Sequence, residues 1–221
     1  MKKYAIILAA GKGKRTGINL PKQFYNINKK RLIFYTIEKF LSIEKIKIIV
    51  VISKNKINYW KKISKIYSYH SKIQIVQGGK TRFDSVKNAL NEIKEVGIVA
   101  IHDGVRPFIT KKLISNLFQK AQKYNNAIPY IHLKDSIRKM NNKKNVSLNR
   151  KDYVLIQTPQ AFNISEIKNA YNNNYNNKFT DDASVYETLK KKINLIKGEE
   201  LNFKITSKDD LKIAENYLSK N

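Results

Sequence analysis

Two glycines and three cations are packed into one short stretch, Leu8-Ala9-Ala10-Gly11-Lys12-Gly13-Lys14-Arg15, and Lys22 follows just past Pro21. Small residues and glycines let a backbone bend tightly and turn its N–H groups outward. Such N–H groups, with Lys and Arg directly after a strand, are what a polyphosphate needs. The spacing is not that of a P-loop, because no Gly-Lys-Ser/Thr closes it. It is not the dinucleotide fingerprint either, because Thr16 stands where the third glycine would fall. The competing reading is an exposed basic turn.

Three further stretches carry groups that could do chemistry. In His102-Asp103-Gly104-Val105-Arg106-Pro107, the aspartate can orient a hydroxyl or a metal. Arg106 can clamp a phosphate or simply pair with Asp103. Thr180-Asp181-Asp182-Ala183-Ser184 reads as a helix cap that could also hold an anion. Asn202-Phe203-Lys204-Ile205-Thr206 sets one lysine in an apolar alternation, and an inward Lys204 needs an anionic partner. His70 and His132 read as ordinary histidines. No Gly-x-Ser-x-Gly elbow and no paired-His zinc spacing occurs.

These stretches need elements to hold them. The apolar run Tyr4 to Leu8 reads as a buried strand that feeds the glycine loop. Leu32–Leu41 has helical periodicity, and Ile46–Ile52 is a branched run fit for a buried parallel strand. A helix over Ile57–Tyr67, a strand over Ile73–Val76, a tight turn at Gly78-Gly79 and a helix over Asp84–Ile93 follow. Then come a strand over Ile98–Ile101, a helix over Lys111–Tyr124 and a strand over Ala127–Leu133. This alternation predicts an α/β fold, a Rossmann-like and mostly parallel sheet with helices on both faces. Such folds place their sites at the carboxyl ends of strands. There the Gly11 loop, the Gly78-Gly79 turn and His102–Pro107 would meet.

The alternation then breaks. Asp135–Met140 and Val146–Thr158 read as two extended pieces joined by an Asn/Lys turn, a β-arm at about 135–158. Ser165–Asn173 and Asp181–Lys191 are predicted helices, Ile193–Ile196 a short strand, and Ser207 the cap of a last helix over Lys208–Leu218. No internal repeat or linker divides residues 1–221, so one domain is expected.

The formal net charge is +27. A basic chain can be a nucleic-acid binder. Here the lysines are dispersed rather than gathered in one arm. Compositional drift toward Lys, Asn and Ile accounts for them, with a field that also attracts anionic substrates. Specific nucleic-acid binding is not expected. Cysteine is absent, which rules out disulfides, thiolate nucleophiles and Cys-based zinc sites and suits a cytoplasmic protein. Lys2-Lys3 before the first apolar run mimics a signal peptide, but a buried strand fits better, and no run reaches membrane-spanning length.

Leu8–Arg15 with Pro21-Lys22-Gln23 resembles the signature of sugar-nucleotide pyrophosphorylases and cytidylyltransferases. Gly78-Gly79, Arg82-x-Asp84-Ser85-Val86, His102–Pro107, Thr158-Pro159-Gln160, Thr180–Ser184 and Asn202–Thr206 make the resemblance more specific. Together they resemble the 2-C-methyl-D-erythritol 4-phosphate cytidylyltransferase family of the non-mevalonate isoprenoid pathway, over Tyr4 to Leu218. The resemblance implies transfer of a cytidylyl group from CTP to that polyol phosphate, with release of pyrophosphate. It implies Arg15 and Lys22 as transition-state stabilisers, with Lys204 beside them in the catalytic set. Ala9, Ala10, Gly11, Lys12, Gly13 and Lys14 would line the CTP phosphates. Gly79, Lys80 and Ser85 would border the cytosine, with Asp103 and Gly104 completing the CTP site. Asp103, Arg106, Arg150, Thr158, Thr180 and Lys204 would surround the acceptor. Magnesium is implied, bound mainly through CTP phosphates, with no protein ligand named. A homodimer is implied as well. Because Arg150 and Thr158 fall on the arm, both are expected to enter the partner's site. Two departures stand out: Gly104-Val105 where many members carry two alanines, and Lys80 where an acidic residue is common. Ribitol-5-phosphate cytidylyltransferases share much of the signature and remain the alternative acceptor class.

Overall fold

The computed structural model describes residues 1–11, 20–142 and 144–219. The first strand, β1 (Lys2–Ala9), has both faces covered. Ala5, Ile7 and Ala9 point into one apolar cluster while Tyr4 and Ile6 point into another. That is why the run is continuously apolar rather than alternating. Past the glycine loop lie a one-turn helix Lys22–Phe24 and a small hairpin of β2 (Asn26–Ile27) and β3 (Lys30–Arg31). The chain continues through α1 (Leu32–Leu41), β4 (Ile46–Ile52), α2 (Ile57–Ser64), β5 (Ile73–Gln77) and α3 (Arg82–Asn91). Next come β6 (Gly97–Asp103), buried along its whole length, α4 (Lys111–Tyr124) and β7 (Asn126–His132).

The central sheet runs β10-β7-β11-β6-β1-β4-β5, where β10 is Val154–Ile156 and β11 is Gln160–Asn163. The pairs β6/β1, β1/β4 and β4/β5 are parallel, whereas β11 lies antiparallel to both β6 and β7. A further strand, β12 (Leu195–Lys197), adds to β7 in parallel. Helices α1, α2 and α4 supply Phe34, Trp60 and Leu117 to one face. On the other face, α3 supplies Val86 and Leu90, α5 (Ile164–Ala170) supplies Ile167, and α6 (Asp182–Tyr186) supplies Val185. The predicted α/β architecture with two helical layers is therefore what forms. The last helix, α7 (Lys208–Ser219), seals a smaller cluster with Leu211 and Ala214 against Leu32, Val105 and Ile205.

The break after β7 is drawn differently from the prediction. The arm is a hairpin of β8 (Ile137–Asn141) and β9 (Lys144–Leu148), which form a two-stranded sheet of their own among the described residues. The second extended piece does not run unbroken from Val146 to Thr158. It turns through the short helix Arg150–Asp152 and then returns to the main sheet as β10 against β7. The helix predicted over Asp181–Lys191 stops at Tyr186, becomes a tighter turn over Glu187–Leu189, and ends where Lys190 takes a left-handed φ of 56°. The helix predicted over Ser165–Asn173 starts one residue earlier and ends at Ala170, capped by the Asn163 side chain. Helix α2 ends at Ser64, short of Tyr67.

Candidate active site

The carboxyl ends of β1, β4, β5 and β6 open onto one cleft of about 1180 Å³. Each contributes the stretch that follows it. From β1 come Ala9, Ala10 and Gly11. Gln23 pins their backbone by donating to the Ala9 carbonyl at 2.6 Å and the Gly11 carbonyl at 3.0 Å. This leaves the turn fixed without spending its N–H groups. Lys22 is buried beside it and lines the cleft. Lys12, Gly13, Lys14 and Arg15 lie outside the described residues.

After β5 the chain turns at Gly78-Gly79 against the Ala10 loop. A Cβ on Gly78 would stand 2.5 Å from the Ala10 Cβ, and one on Gly79 would stand 2.2 Å from the Asp84 Cβ. These two positions are glycine because backbone and loop approach too closely for a side chain. Thr81 and Asp84 form a reciprocal capping box at the start of α3. The Ser85 hydroxyl accepts from the Gly79 N–H at 3.1 Å and donates to the Thr81 carbonyl at 2.9 Å. Gly79 and Ser85 therefore hold each other in place, and Lys80 stands exposed at the rim.

Asp103, at the end of β6, is the centre of the charged side. Lys204 Nζ lies 2.9 Å from its Oδ2, and Arg106 Nε lies 3.4 Å from the same oxygen. Burial works against the Asp103 charge, but Lys204, Arg82 and Arg106 overcome it and hold the carboxyl well below the usual carboxylate range. The inward Lys204 thus has the anionic partner that its place in an apolar run requires. Arg106 also donates to the Asn202 carbonyl at 2.8 Å. Burial lowers the Arg106 guanidinium from its ordinary value, with Asp103 opposing.

Beneath Asp103 runs a chain of hydrogen bonds with a fixed direction. His102 is fully buried, and its Nε2 sits 3.1 Å from the Arg106 carbonyl. A carbonyl only accepts, so Nε2 carries the hydrogen and Nδ1 accepts from the Thr158 hydroxyl, 3.0 Å away. That hydroxyl in turn accepts from the Asp103 N–H at 3.1 Å. Burial pushes the His102 imidazole down to about 4, so the ring is neutral at pH 7. Asn202 secures the far side by donating to the Thr158 carbonyl at 2.8 Å. Its Oδ1 is buried with no partner among the described residues.

The structure brings together Ala9, Ala10, Gly11, Lys22, Gly79, Lys80 and Ser85 with Asp103 and Lys204 around one cleft, and ties Arg106 and Thr158 to Asp103 from behind. Other expected residues stand elsewhere. Gly104 is built into the scaffold: its N–H donates to the Leu8 carbonyl at 2.9 Å, and its own carbonyl accepts from Thr36. Thr158 is not on the arm. It is buried at the side of its own chain's Asp103, because the chain has already rejoined the sheet through β10. Arg150 does sit at the foot of the arm, exposed and away from this cleft, its guanidinium on the Lys134 carbonyl. Thr180 is exposed just before α6. His70 and His132 are exposed, as ordinary surface histidines are.

Sequence reasoning gave no role to several residues in or behind the cleft. Arg82 lines the cleft and forks onto the wholly buried Asp182 at 2.7 and 2.6 Å. Gln23 and His102 were quoted within motifs, but their hydrogen-bonding roles were not read. Lys54 and Lys56, after β4, also line the cleft, and nothing in their spacing marks them. Among the described residues no three His, Asp or Glu side chains gather as a cage for a metal ion. Asp103, the carboxylate that lines the cleft, is engaged by Lys204 and Arg106. These residues do not fit a magnesium site made by protein ligands alone.

The family profile described as 2-C-methyl-D-erythritol 4-phosphate cytidylyltransferase matches residues 4–220. The protein of that name from Phocaeicola vulgatus is 39% identical over 216 residues, covering 97% of this chain and 99% of its own length. The one from Azobacteroides pseudotrichonymphae is 42% identical over 215 residues, covering 96% and 97%. The crystal structure of 4-diphosphocytidyl-2C-methyl-D-erythritol synthase from Anaerococcus prevotii superposes with a TM-score of 0.84 at 28% identity, covering 99% of this chain and 98% of that one.

Proposed function

The chain belongs to the 2-C-methyl-D-erythritol 4-phosphate cytidylyltransferase family, and from that membership we propose how its own residues carry the reaction. It is an enzyme that transfers a cytidylyl group from CTP to 2-C-methyl-D-erythritol 4-phosphate, giving 4-diphosphocytidyl-2-C-methyl-D-erythritol and pyrophosphate. An oxygen of the acceptor phosphate attacks the α-phosphorus of CTP. The new P–O bond forms as the bond to the β-phosphate oxygen breaks, and pyrophosphate leaves. No covalent enzyme intermediate is needed, so the protein's task is positioning and charge stabilisation.

The observation that carries the residue assignment is one cleft at the strand ends lined by Lys22, Asp103 and Lys204 together, with Arg106 paired to Asp103. In this reading Gly11 and its loop receive the triphosphate through backbone N–H groups, together with Lys12, Gly13, Lys14 and Arg15. Lys22 and Arg15 stabilise the charge that grows on the α-phosphate. Gly79, Ser85 and Lys80 border the cytosine, and the Gly78–Ala10 contact narrows that pocket against a purine. Asp103 holds a substrate hydroxyl while Lys204 and Arg106 keep it ionised. Thr158 sits behind it in cis, Thr180 flanks the acceptor, and Arg150 reaches a partner's cleft. A magnesium ion here would depend on CTP phosphate oxygens for its ligands. The acting unit would be one cytidylyltransferase domain within a cytoplasmic homodimer.

The test is the choice of acceptor. With CTP and magnesium, pyrophosphate should appear with methylerythritol phosphate and much less with ribitol 5-phosphate. A clear preference for ribitol 5-phosphate would overturn the acceptor assignment.

A further inference from the structure

Arg82 opens α3, and α3 follows the turn that borders the nucleotide side of the cleft. Its partner, Asp182, opens α6, and Arg82 itself lines the same cleft as Asp103, which the reading above gives to the acceptor. The two side chains meet in a fork at 2.7 and 2.6 Å across a separation of a hundred residues. Asp182 is wholly buried and takes a third hydrogen bond, from the Tyr171 hydroxyl at 2.6 Å. The Tyr171 ring stacks on Phe83, the residue next to Arg82, at 4.6 Å between centroids. The carboxylate, the phenol and the stacked ring together fix the guanidinium in one orientation.

A buried ion pair of this kind is weak evidence for stability, because apolar residues of similar volume serve as well or better. Something other than stability has to account for keeping the charge at the cleft wall. Two of the five guanidinium N–H groups go to Asp182, and a third of the side chain stays exposed in the cleft. Its charge reaches the acceptor group: it favours the ionised Asp103 and opposes the charge on Arg106. We propose that Arg82 is a further phosphate-contacting residue of the cleft, that it serves the polyol phosphate rather than CTP, and that Asp182 and Tyr171 are positioning residues that aim it. A planar fork fixed on one side by a carboxylate offers its remaining N–H groups to phosphate oxygens in a set geometry, which a lysine does not reproduce.

This inference rests on the acceptor-site reading given above, and the experiment separates the two. Arg82→Ala would strand a buried carboxylate and fold poorly, so the informative variant replaces the whole cluster by apolar groups: Arg82→Met, Asp182→Leu and Tyr171→Phe together. Thermal unfolding confirms that it folds. Steady-state kinetics are then measured with each substrate varied in turn. The expected result is a KM for methylerythritol phosphate raised about tenfold or more, the scale of a lost charge-assisted contact, with the KM for CTP within about twofold. Arg82→Lys, which keeps the charge against Asp182, is expected to move the same KM in the same direction and decides the matter if the triple variant does not fold. Unchanged acceptor KM, or equal rises for both substrates, would make the cluster a structural bolt and overturn the proposal. Absence of turnover by the wild-type enzyme would instead remove the functional reading on which the proposal stands.

Discussion

At the scale of single residues, His102 shows how a side chain away from the cleft can order those that line or back it. It touches no cleft surface, yet its two nitrogens set the direction of the hydrogen bonds that join Arg106, Thr158 and Asp103. Only the neutral ring can donate to a carbonyl and accept from a hydroxyl at once. Its value falls from 6.5 to about 4 on folding. The unfolded chain therefore binds a proton below about pH 6.5 that the folded chain refuses until about pH 4. Stability is accordingly lost as pH falls through that window, by on the order of 1 kcal/mol per pH unit. Asp103, whose folded value is depressed, loses its own contribution only below the ordinary carboxylate range. Urea unfolding between pH 7 and pH 4.5 should show the slope in the wild type and a flattened slope in His102→Asn. Equal slopes in the two proteins would mean that another group controls the acid limb. The motif His102–Pro107 was legible in the sequence as a strand end with an acid and a cation. The role of the histidine was not, because it depends on Thr158, which arrives from fifty-six positions away.

At the scale of elements, the central parallel strands β1, β4 and β6 could be read because each is buried on both faces over most of its length and so leaves a continuous apolar run. Ile46–Ile52 was read to the residue for this reason, as was Leu32–Leu41 from its helical period. β11 was missed. Gln160-Ala161-Phe162-Asn163 carries no strand pattern of its own, and its place is set by pairing with both β6 and β7. The arm was legible as an interruption but not as a hairpin with a separate returning strand. Met140 and Val146 on the hairpin and Leu155 on β10 are exposed apolar side chains, the kind of surface that a second copy of the chain would cover. With Arg150 at the foot of the arm, a shared site gives a sharp outcome. Lys22→Ala and Arg150→Ala, each inactive alone, are coexpressed. If Arg150 acts in trans, each mixed dimer keeps one intact site. Random pairing makes about half the dimers mixed, so about a quarter of wild-type activity returns. If Arg150 serves its own chain, every site is defective, and verified mixed dimers without activity would remove the shared-site proposal.

At the scale of the whole molecule, the charge of +27 is spread over a chain whose family joins two anionic substrates. The described lining carries Lys22, Lys54, Lys56, Lys80, Arg82 and Lys204 against Asp103. Such a cleft raises the local concentration of polyphosphates, and the effect weakens with salt. No described helix is long and apolar enough to cross a membrane. The motifs were legible far apart in sequence because the α/β pattern sends the carboxyl ends of the parallel strands β1, β4, β5 and β6 to the same edge. What the sequence could not reveal was that Lys54 and Lys56 share that edge, since they are placed by packing rather than by spacing; Arg82 stood within a motif but was given no role. In the function proposed above, this cleft stabilises the transferring α-phosphate through Lys22. The most direct measurement is single-turnover pyrophosphate release from CTP and methylerythritol phosphate by wild type and by Lys22→Ala, both saturated with substrate and shown to be folded. Deleting one preorganised charge stabiliser should slow the chemical step by at least ~10²-fold while CTP binding changes less. A variant that releases pyrophosphate at close to the wild-type rate would show that Lys22 does not stabilise the transferring phosphate.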